Sequence, residues 1–247
     1  MLETVAARYP HVAGYLYPPA GAQELSWSEA LTPQEIVTST AATGELFRIR
    51  SQSAAAHLRF VNFVKAWITP SLAGYVDARL VADLDLRQAT LATADHVWYA
   101  HDPGPAQDWG SSLAGAGTCL RELIEATVSA TGLRPAPLWA QASDLIAIAL
   151  AEAGNEGYAP VEAVDAAREA FHNLRSRVDL PLPLPRMYAD RQLIDLDSLD
   201  SMDSPAGGVG LGDESVLTVR RLTCCKIDRS EVTGPCDTCP HNVHGTI

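Results

Sequence analysis

The residues best equipped for chemistry lie near the C-terminal end: Cys224-Cys225, ten residues, then Cys236-Asp237-Thr238-Cys239-Pro240. Four of the five cysteines fall within sixteen positions, and only Cys119 lies elsewhere. Thiolates this close repel one another unless a cation or a covalent bond joins them. In a chain of intracellular character the expected joiner is a metal. The Cys-x-x-Cys half is a two-thiolate chelate built on a tight turn, with Gly234, Pro235 and Pro240 as turn residues. The adjacent pair is different. In an extended strand Cys224 and Cys225 point to opposite faces. They serve one site if the backbone bends there, or if the site presents two separate metal atoms. A [2Fe-2S] cluster is of the second kind, because each iron takes two thiolates once the bridging sulfides are counted. A zinc ribbon calls for two Cys-x-x-Cys knuckles, and one is missing. The expected cofactor is therefore a [2Fe-2S] cluster on Cys224, Cys225, Cys236 and Cys239, ahead of zinc and well ahead of structural disulfides.

The same arrangement, Cys-Cys-x10-Cys-x2-Cys preceded by Arg220 and Arg221 and followed by Pro240, resembles the [2Fe-2S] segment of the FhuF-type ferric-siderophore reductases. The cysteine spacing agrees throughout, and the C-terminal segment carries the likeness. Leu222 and Thr223 separate the arginines from the cysteines where the family often has one residue. Lys226-Ile227-Asp228-Arg229 lacks the aromatic residue common there. The resemblance implies an iron–sulfur oxidoreductase of the cytoplasm, serving iron transport by reducing a ferric siderophore of the hydroxamate type. The chemistry is coherent. Siderophore oxygens hold Fe(III) far better than Fe(II), and a thiolate-only cluster reaches potentials around −400 mV. One electron then loosens the iron, and no catalytic acid, base or nucleophile beyond the cluster is needed. By residue type, Trp98, Tyr99, Arg48 and Arg50 are candidate siderophore contacts.

Other classes are disfavoured. A formal net charge of −12 argues against sequence-independent binding to nucleic acid or an anionic membrane. Met1-Leu2-Glu3-Thr4-Val5 carries no secretory pattern, and the apolar run Leu145–Ala151, bounded by Asp144 and Glu152, is too short to span a membrane. The expectation is a cytoplasmic protein without membrane insertion. Gly208-x-Gly210-x-Gly212 and Gly115-x-Gly117 lack the spacing and strand–turn–helix setting of a dinucleotide loop, and no P-loop is present. Electrons must then come from a separate donor, such as a ferredoxin or a flavin reductase system. Two other classes remain open: a sensory or structural cluster without turnover, and a zinc-stabilised interaction module. A relation to the C-terminal part of siderophore synthetases is disfavoured by the missing ATP site.

The elements that must position the cysteines read as α+β: a predominantly helical body with a few short strands and a small C-terminal iron–sulfur module. With 247 residues, 47% of them apolar, the chain can bury a sizeable core. Residues 1–31 give little. Thr32-Pro33-Gln34-Glu35 opens a helix that Gly44 stops. Glu45 to Arg50 alternates as a short half-buried strand. Phe60, Val61, Val64, Trp67 and Ile68 stripe a helix from Ser53 to about Thr69, which Pro70 ends or interrupts before a second helix. Two strands flank Ala94-Asp95. Three helices follow, closing at Gly132, opening at Pro137 and opening at Pro160. His57 reads as a core or surface histidine and Cys119 as a small buried hydrophobe. Pro181, Pro183 and Pro185 alternate with leucines as an extended connector. The expected division is a siderophore-binding body over 1–194, an acidic and glycine-rich connector over 195–214, and a cluster module over 215–247, led by a strand from Val216 to Arg220. Asp195, Asp197, Asp200 and Asp203 read as a solvated linker rather than a donor-docking surface, and His241 and His244 as a solvated tail rather than ligands.

Overall fold

Alanines at the start and aromatic and branched residues beyond make the segment after Ser51 apolar on almost every side, so it becomes a central helix. In the computed structural model, Ser51 caps α3 (Gln52–Ala78), of 27 residues, most of them buried. The structure describes residues 7, 9, 18–94, 97–99, 105–197, 211–212, 214–224 and 226–232. The expected break at Pro70 does not occur, and the helix runs through it to Ala78. A proline inside a helix costs about 3 kcal/mol in lost hydrogen bonding and crowding. Here Thr69, Pro70, Ser71 and Leu72 are all buried, so packing on both sides of the missing bond outweighs that cost.

Around α3 stand α2 (Pro33–Leu46), α4 (Trp109–Thr131), α5 (Pro135–Gly157) and α6 (Pro160–His172), with α5 as its main partner. The caps act as the sequence implies. Thr32 accepts the Glu35 N–H, Gly132 ends α4 at φ +70°, and prolines occupy the first turns of α2, α5 and α6. α5 starts at Pro135, one turn-residue pair before Pro137. A short helix, α1 (Trp27–Ala30), opens on a Ser26–Glu29 capping box.

The expected strand at Glu45–Arg50 is absent. Instead α2 continues to Leu46 and ends in a Schellman motif: Ile49 N–H bonds Gly44 O at 2.7 Å and Arg48 N–H bonds Glu45 O at 3.1 Å. Arg48 takes the left-handed position at φ +49°, where glycine is usual. Phe47 and Ile49 alternate because the chain turns, not because it pairs.

Two antiparallel sheets flank the helices. The first has the order β1 (Gln23–Ser26), β2 (Thr90–Ala94), β3 (Val97–Tyr99), with Leu25 opposite Leu91. The second has the order β5 (Gln192–Ile194), β4 (Arg186–Ala189), β6 (Leu217–Arg220), with Met187 opposite Val219. Asp190 and Arg191, at φ +47° and +72°, form the two-residue turn between β4 and β5. Leu180 and Leu182 of the proline-rich stretch are buried, and Ser143 donates to Pro183 O at 2.5 Å, so that stretch is packed on the body. β6, which leads towards the cysteines, thus belongs to a sheet whose other strands come from before residue 195. The fold is α+β, mostly helical with a few short antiparallel strands. Among the described residues no helix is long and apolar enough to cross a membrane.

Candidate metal centre

Of the four clustered cysteines the structure describes Cys224; Cys225, Cys236 and Cys239 lie outside the described residues, as do His241 and His244. Cys224 is buried, and the Lys226 N–H lies 3.3 Å from its Sγ. A backbone N–H aimed at sulfur favours the thiolate and is the kind of contact that tunes a thiolate-held metal. The donor chemistry at the described position therefore fits an iron–sulfur ligand. Among the described residues no three His, Cys, Asp or Glu side chains converge to hold a metal.

How Cys224 is held follows from α5. That helix is alanine-rich and almost wholly buried, yet it carries Gln141, Asp144 and Asn155. A 100° step per residue puts Asp144 and Asn155 nearly in line, with Gln141 about 60° away. All three grip the chain from β6 to Cys224. Asn155 bonds both backbone groups of Leu217, donating to its O at 2.9 Å and accepting its N–H at 2.8 Å. Asp144 accepts the N–H groups of Leu222 and Thr223 at 2.8 and 3.0 Å and the Thr223 hydroxyl at 3.0 Å. Gln141 donates to Cys224 O at 3.0 Å. The contacts run antiparallel, residue 155 to 217 and residue 141 to 224. From Gln141 to Asn155 the helix rises about 21 Å at 1.5 Å per residue. An extended chain from Leu217 to Cys224 covers about 23 Å at 3.3 Å per residue. The two lengths match, so the strand and its continuation lie stretched along the helix. Gly154 permits the approach: a Cβ there would come within 2.6 Å of the Ala163 Cβ and 3.1 Å of Leu217 Cδ1.

The electrostatics are those of a buried anion with donors around it. Asp144 is fully buried, and Arg221 Nε stands 3.9 Å from its carboxylate. Burial pushes the Asp144 carboxyl above its ordinary pKa, against the pull of the Leu222 and Thr223 groups and Arg221. On α3, His57 is buried with Nδ1 3.1 Å from Gln141 Oε1, so the amide is held at both ends. Burial lowers the His57 pKa, partly offset by the Gln141 bond and reinforced by nearby Lys226. After Cys224, Lys226 turns left-handed at φ +67°, and a single 3₁₀ turn, Ile227–Arg229, packs against the start of α3. The Ser230 hydroxyl donates to Phe47 O at 2.6 Å, and Arg50 pairs with Glu231 at 2.9 Å.

The other candidates divide. His57 is a satisfied core histidine, one residue removed from the cysteine segment. Cys119 is fully buried, and burial pushes its thiol up to about 12, which makes it an unreactive hydrophobe. Trp98 is a core residue, packed edge-on against Phe63 at 4.8 Å and 2% exposed, so it is not available as a siderophore contact. β3 includes Tyr99, whose side chain is outside the described residues. Arg48 and Arg50 border an open cavity beside the segment 226–231. Gly115 and Gly117 lie within α4, where they admit Asp85 and Val178. Of the acidic run, Asp197 pairs with Arg175 at 2.7 Å, and residues 198–203 lie outside the described residues. The gripping residues Gln141, Asp144 and Asn155 are not evident from the cysteine pattern. For Gln141 and Asp144 the signal is polarity within an apolar, alanine-rich run, whereas Asn155, exposed beside Glu156 near the helix end, gives none. No protein-family model matches the chain, and no curated protein matches it.

Proposed function

We propose that the protein is a ferric-siderophore reductase in which Cys224, Cys225, Cys236 and Cys239 hold a [2Fe-2S] cluster. The observation that supports this reading is the anchoring of Cys224, a buried sulfur with a backbone N–H on it, at the end of a segment fixed by Asp144 and Gln141. Within a Cys-Cys-x10-Cys-x2-Cys run, such anchoring suits a ligand that must keep its geometry through changes of charge. When bound, a thiolate-only cluster supplies a one-electron donor of low potential.

The chain's own residues do the rest. Asp144 fixes the main chain at 222–223 and Gln141 fixes it at 224, so the first ligand is preorganised before any metal arrives. Lys226 N–H stabilises sulfur-centred negative charge. Arg221, 3.9 Å from the Asp144 carboxylate, balances the buried charge that holds the segment. The substrate is a ferric siderophore, of the hydroxamate type by resemblance, and the electron enters from a separate donor protein.

Anaerobic purification tests the reading. The expected product is red-brown, EPR-silent until dithionite is added, and oxidised on mixing with a ferric hydroxamate while a chelator captures Fe(II). Colourless protein without iron or sulfide, prepared under protection from oxygen, overturns the proposal. So does a reduced protein that every ferric chelate leaves unchanged.

A further inference from the structure

The Cys224 carbonyl belongs to the peptide that joins the two adjacent cysteines, the less usual half of the quartet. A planar peptide turns as one unit, so whatever holds that oxygen sets the direction in which the chain leaves Cys224. Gln141 holds it, donating from Nε2 at 3.0 Å. The glutamine is wholly buried, but nothing within its own side chain decides which end of the amide faces the cysteine. The last torsion of glutamine is broad and close to two-fold, and the two ends are nearly alike in shape.

The choice is made on the far side of the amide. His57, on α3, is buried and has Nδ1 3.1 Å from Gln141 Oε1. A main-chain carbonyl only accepts, so Gln141 must present Nε2 to Cys224 and its oxygen to the imidazole. An amide oxygen also only accepts, so Nδ1 must carry the ring hydrogen. Turned over, the amide would set its oxygen against the Cys224 oxygen and its N–H groups against the Nδ1 hydrogen. The contacts therefore form a directed relay, from His57 Nδ1–H to Gln141 Oε1 and from Gln141 Nε2 to Cys224 O. Close packing of α3 on α5 keeps the histidine and the glutamine at a fixed separation. The sulfur of Cys224 meets the Lys226 N–H, so the residue is held at its carbonyl and at its thiol.

We propose that His57 is a positioning residue for the cluster: its Nδ1–H locks the Gln141 amide in the orientation that donates to Cys224 O, and so fixes how the first of the adjacent cysteines is presented to iron. The histidine acts through the amide, not on sulfur. Its role towards iron rests on the iron–sulfur reading; the relay and the ring tautomer rest on the contacts alone.

The test uses the full-length protein, prepared anaerobically. Removing a group that supports a metal ligand from behind costs about 10–100-fold in metal affinity. Loss of the cluster to a chelator is accordingly expected to be about tenfold faster in Gln141→Leu and in His57→Leu. His57→Asn places an amide N–H where Nδ1–H stood, and is expected to restore both the wild-type rate and the wild-type EPR g values of the reduced cluster. The double variant His57→Leu, Gln141→Leu is expected to lose its cluster no faster than Gln141→Leu alone, because the two residues act as one unit. Nitrogen-15 NMR of the neutral His57 ring gives a readout independent of iron. It is expected to place the hydrogen on Nδ1 in the wild type and on Nε2, which free neutral histidine favours, in Gln141→Leu. A His57→Leu variant as retentive as wild type, additive losses in the double variant, no rescue by asparagine, or a wild-type ring with its hydrogen on Nε2 would each overturn the proposal. Protein that assembles no cluster yet shows the Nδ1–H ring removes the iron–sulfur reading and leaves the relay onto Cys224 standing.

Discussion

The two three-stranded sheets are attached to the helices by opposite means. The first lies on aromatic packing: Trp98 of β3 meets Phe63 of α3 edge-on, and Trp27, just after β1, stands 6.0 and 6.4 Å from Phe63 and Trp67. The second buries Met187, Leu217 and Val219, but its outer strand β6 and the chain beyond are also tied to α5 through Asn155, Asp144 and Gln141. Apolar packing is non-directional and tolerates a small slide. A carboxylate that accepts three hydrogen bonds does not, because each donor must arrive in place or be buried unsatisfied. The first attachment holds the fold together. The second fixes which residue stands where, and it is spent on the segment that presents Cys224.

The sharpest way to break that contrast is Asp144→Ala. The change leaves the Leu222 and Thr223 N–H groups and the Thr223 hydroxyl without their acceptor, and removes the carboxylate that faces buried Arg221 at 3.9 Å. Removing one partner from such a buried set costs about 3–5 kcal/mol. Urea denaturation is expected to show a loss of that size, and iron and sulfide per chain are expected to fall even in the fraction that remains folded. Trp98→Ala is the counterpart in the first sheet. It costs about 3–5 kcal/mol as a large-to-small core change, yet folded protein is expected to keep its full iron content. If both variants lose stability and cluster in the same proportion, the distinction between holding and positioning fails.

Much of the frame was legible in the sequence because its signals are local. Thr32 and Gly132 cap helices through their own side-chain or backbone chemistry, Pro160 opens one, and the stripe of Phe60, Val64 and Trp67 marks a buried face. The helix through Pro70 was not legible, since proline argues locally for a break and only tertiary packing overrides it. The turn at Arg48 was hidden for a related reason: a Schellman ending usually shows a glycine, and here arginine occupies the left-handed position. β1 escaped because four residues with one buried side chain carry almost no periodicity. At the site, the cysteines announce themselves by spacing, whereas their support does not. Asp144 reads from sequence as the polar edge of the apolar run Leu145–Ala151. That it is fully buried, with residues 222 and 223 upon it, is a contact some eighty residues distant along the chain. Gln141 and Asp144 within an apolar, alanine-rich run were the available clue.

Thr223→Val refines the comparison at the scale of a single bond. The Asp144 carboxylate keeps its two backbone donors and loses the hydroxyl. The expected cost is about 1–2 kcal/mol by denaturation, with cluster assembly retained, since the main chain at 222–224 remains anchored. A loss as large as that of Asp144→Ala would mean that the hydroxyl, not the backbone bonds, fixes the segment.

The smallest effect is a slope with pH, and it reads the Gln141 end of the attachment. Burial holds the His57 pKa below its ordinary 6.5 in the folded protein, against the Gln141 bond and with the help of Lys226. As pH falls through about 6.5, the unfolded chain takes up a proton that the folded chain refuses. Stability is favoured where the folded state binds at least as many protons, so it declines over this window. The decline levels off once pH is below the folded value, where both states are protonated. Above about pH 7.5 the contribution is flat. Asp144 acts in the opposite sense, because its folded carboxyl, raised by burial, takes up its proton at a higher pH than the unfolded one does. The experiment is therefore the difference between wild type and His57→Asn from pH 8 down to 6, measured as urea unfolding at each step. The variant is expected to lose the slope and keep the plateau value within the worth of one hydrogen bond to Gln141. An unchanged slope in the variant would show that His57 is already solvated, and that Gln141 holds Cys224 without the histidine behind it.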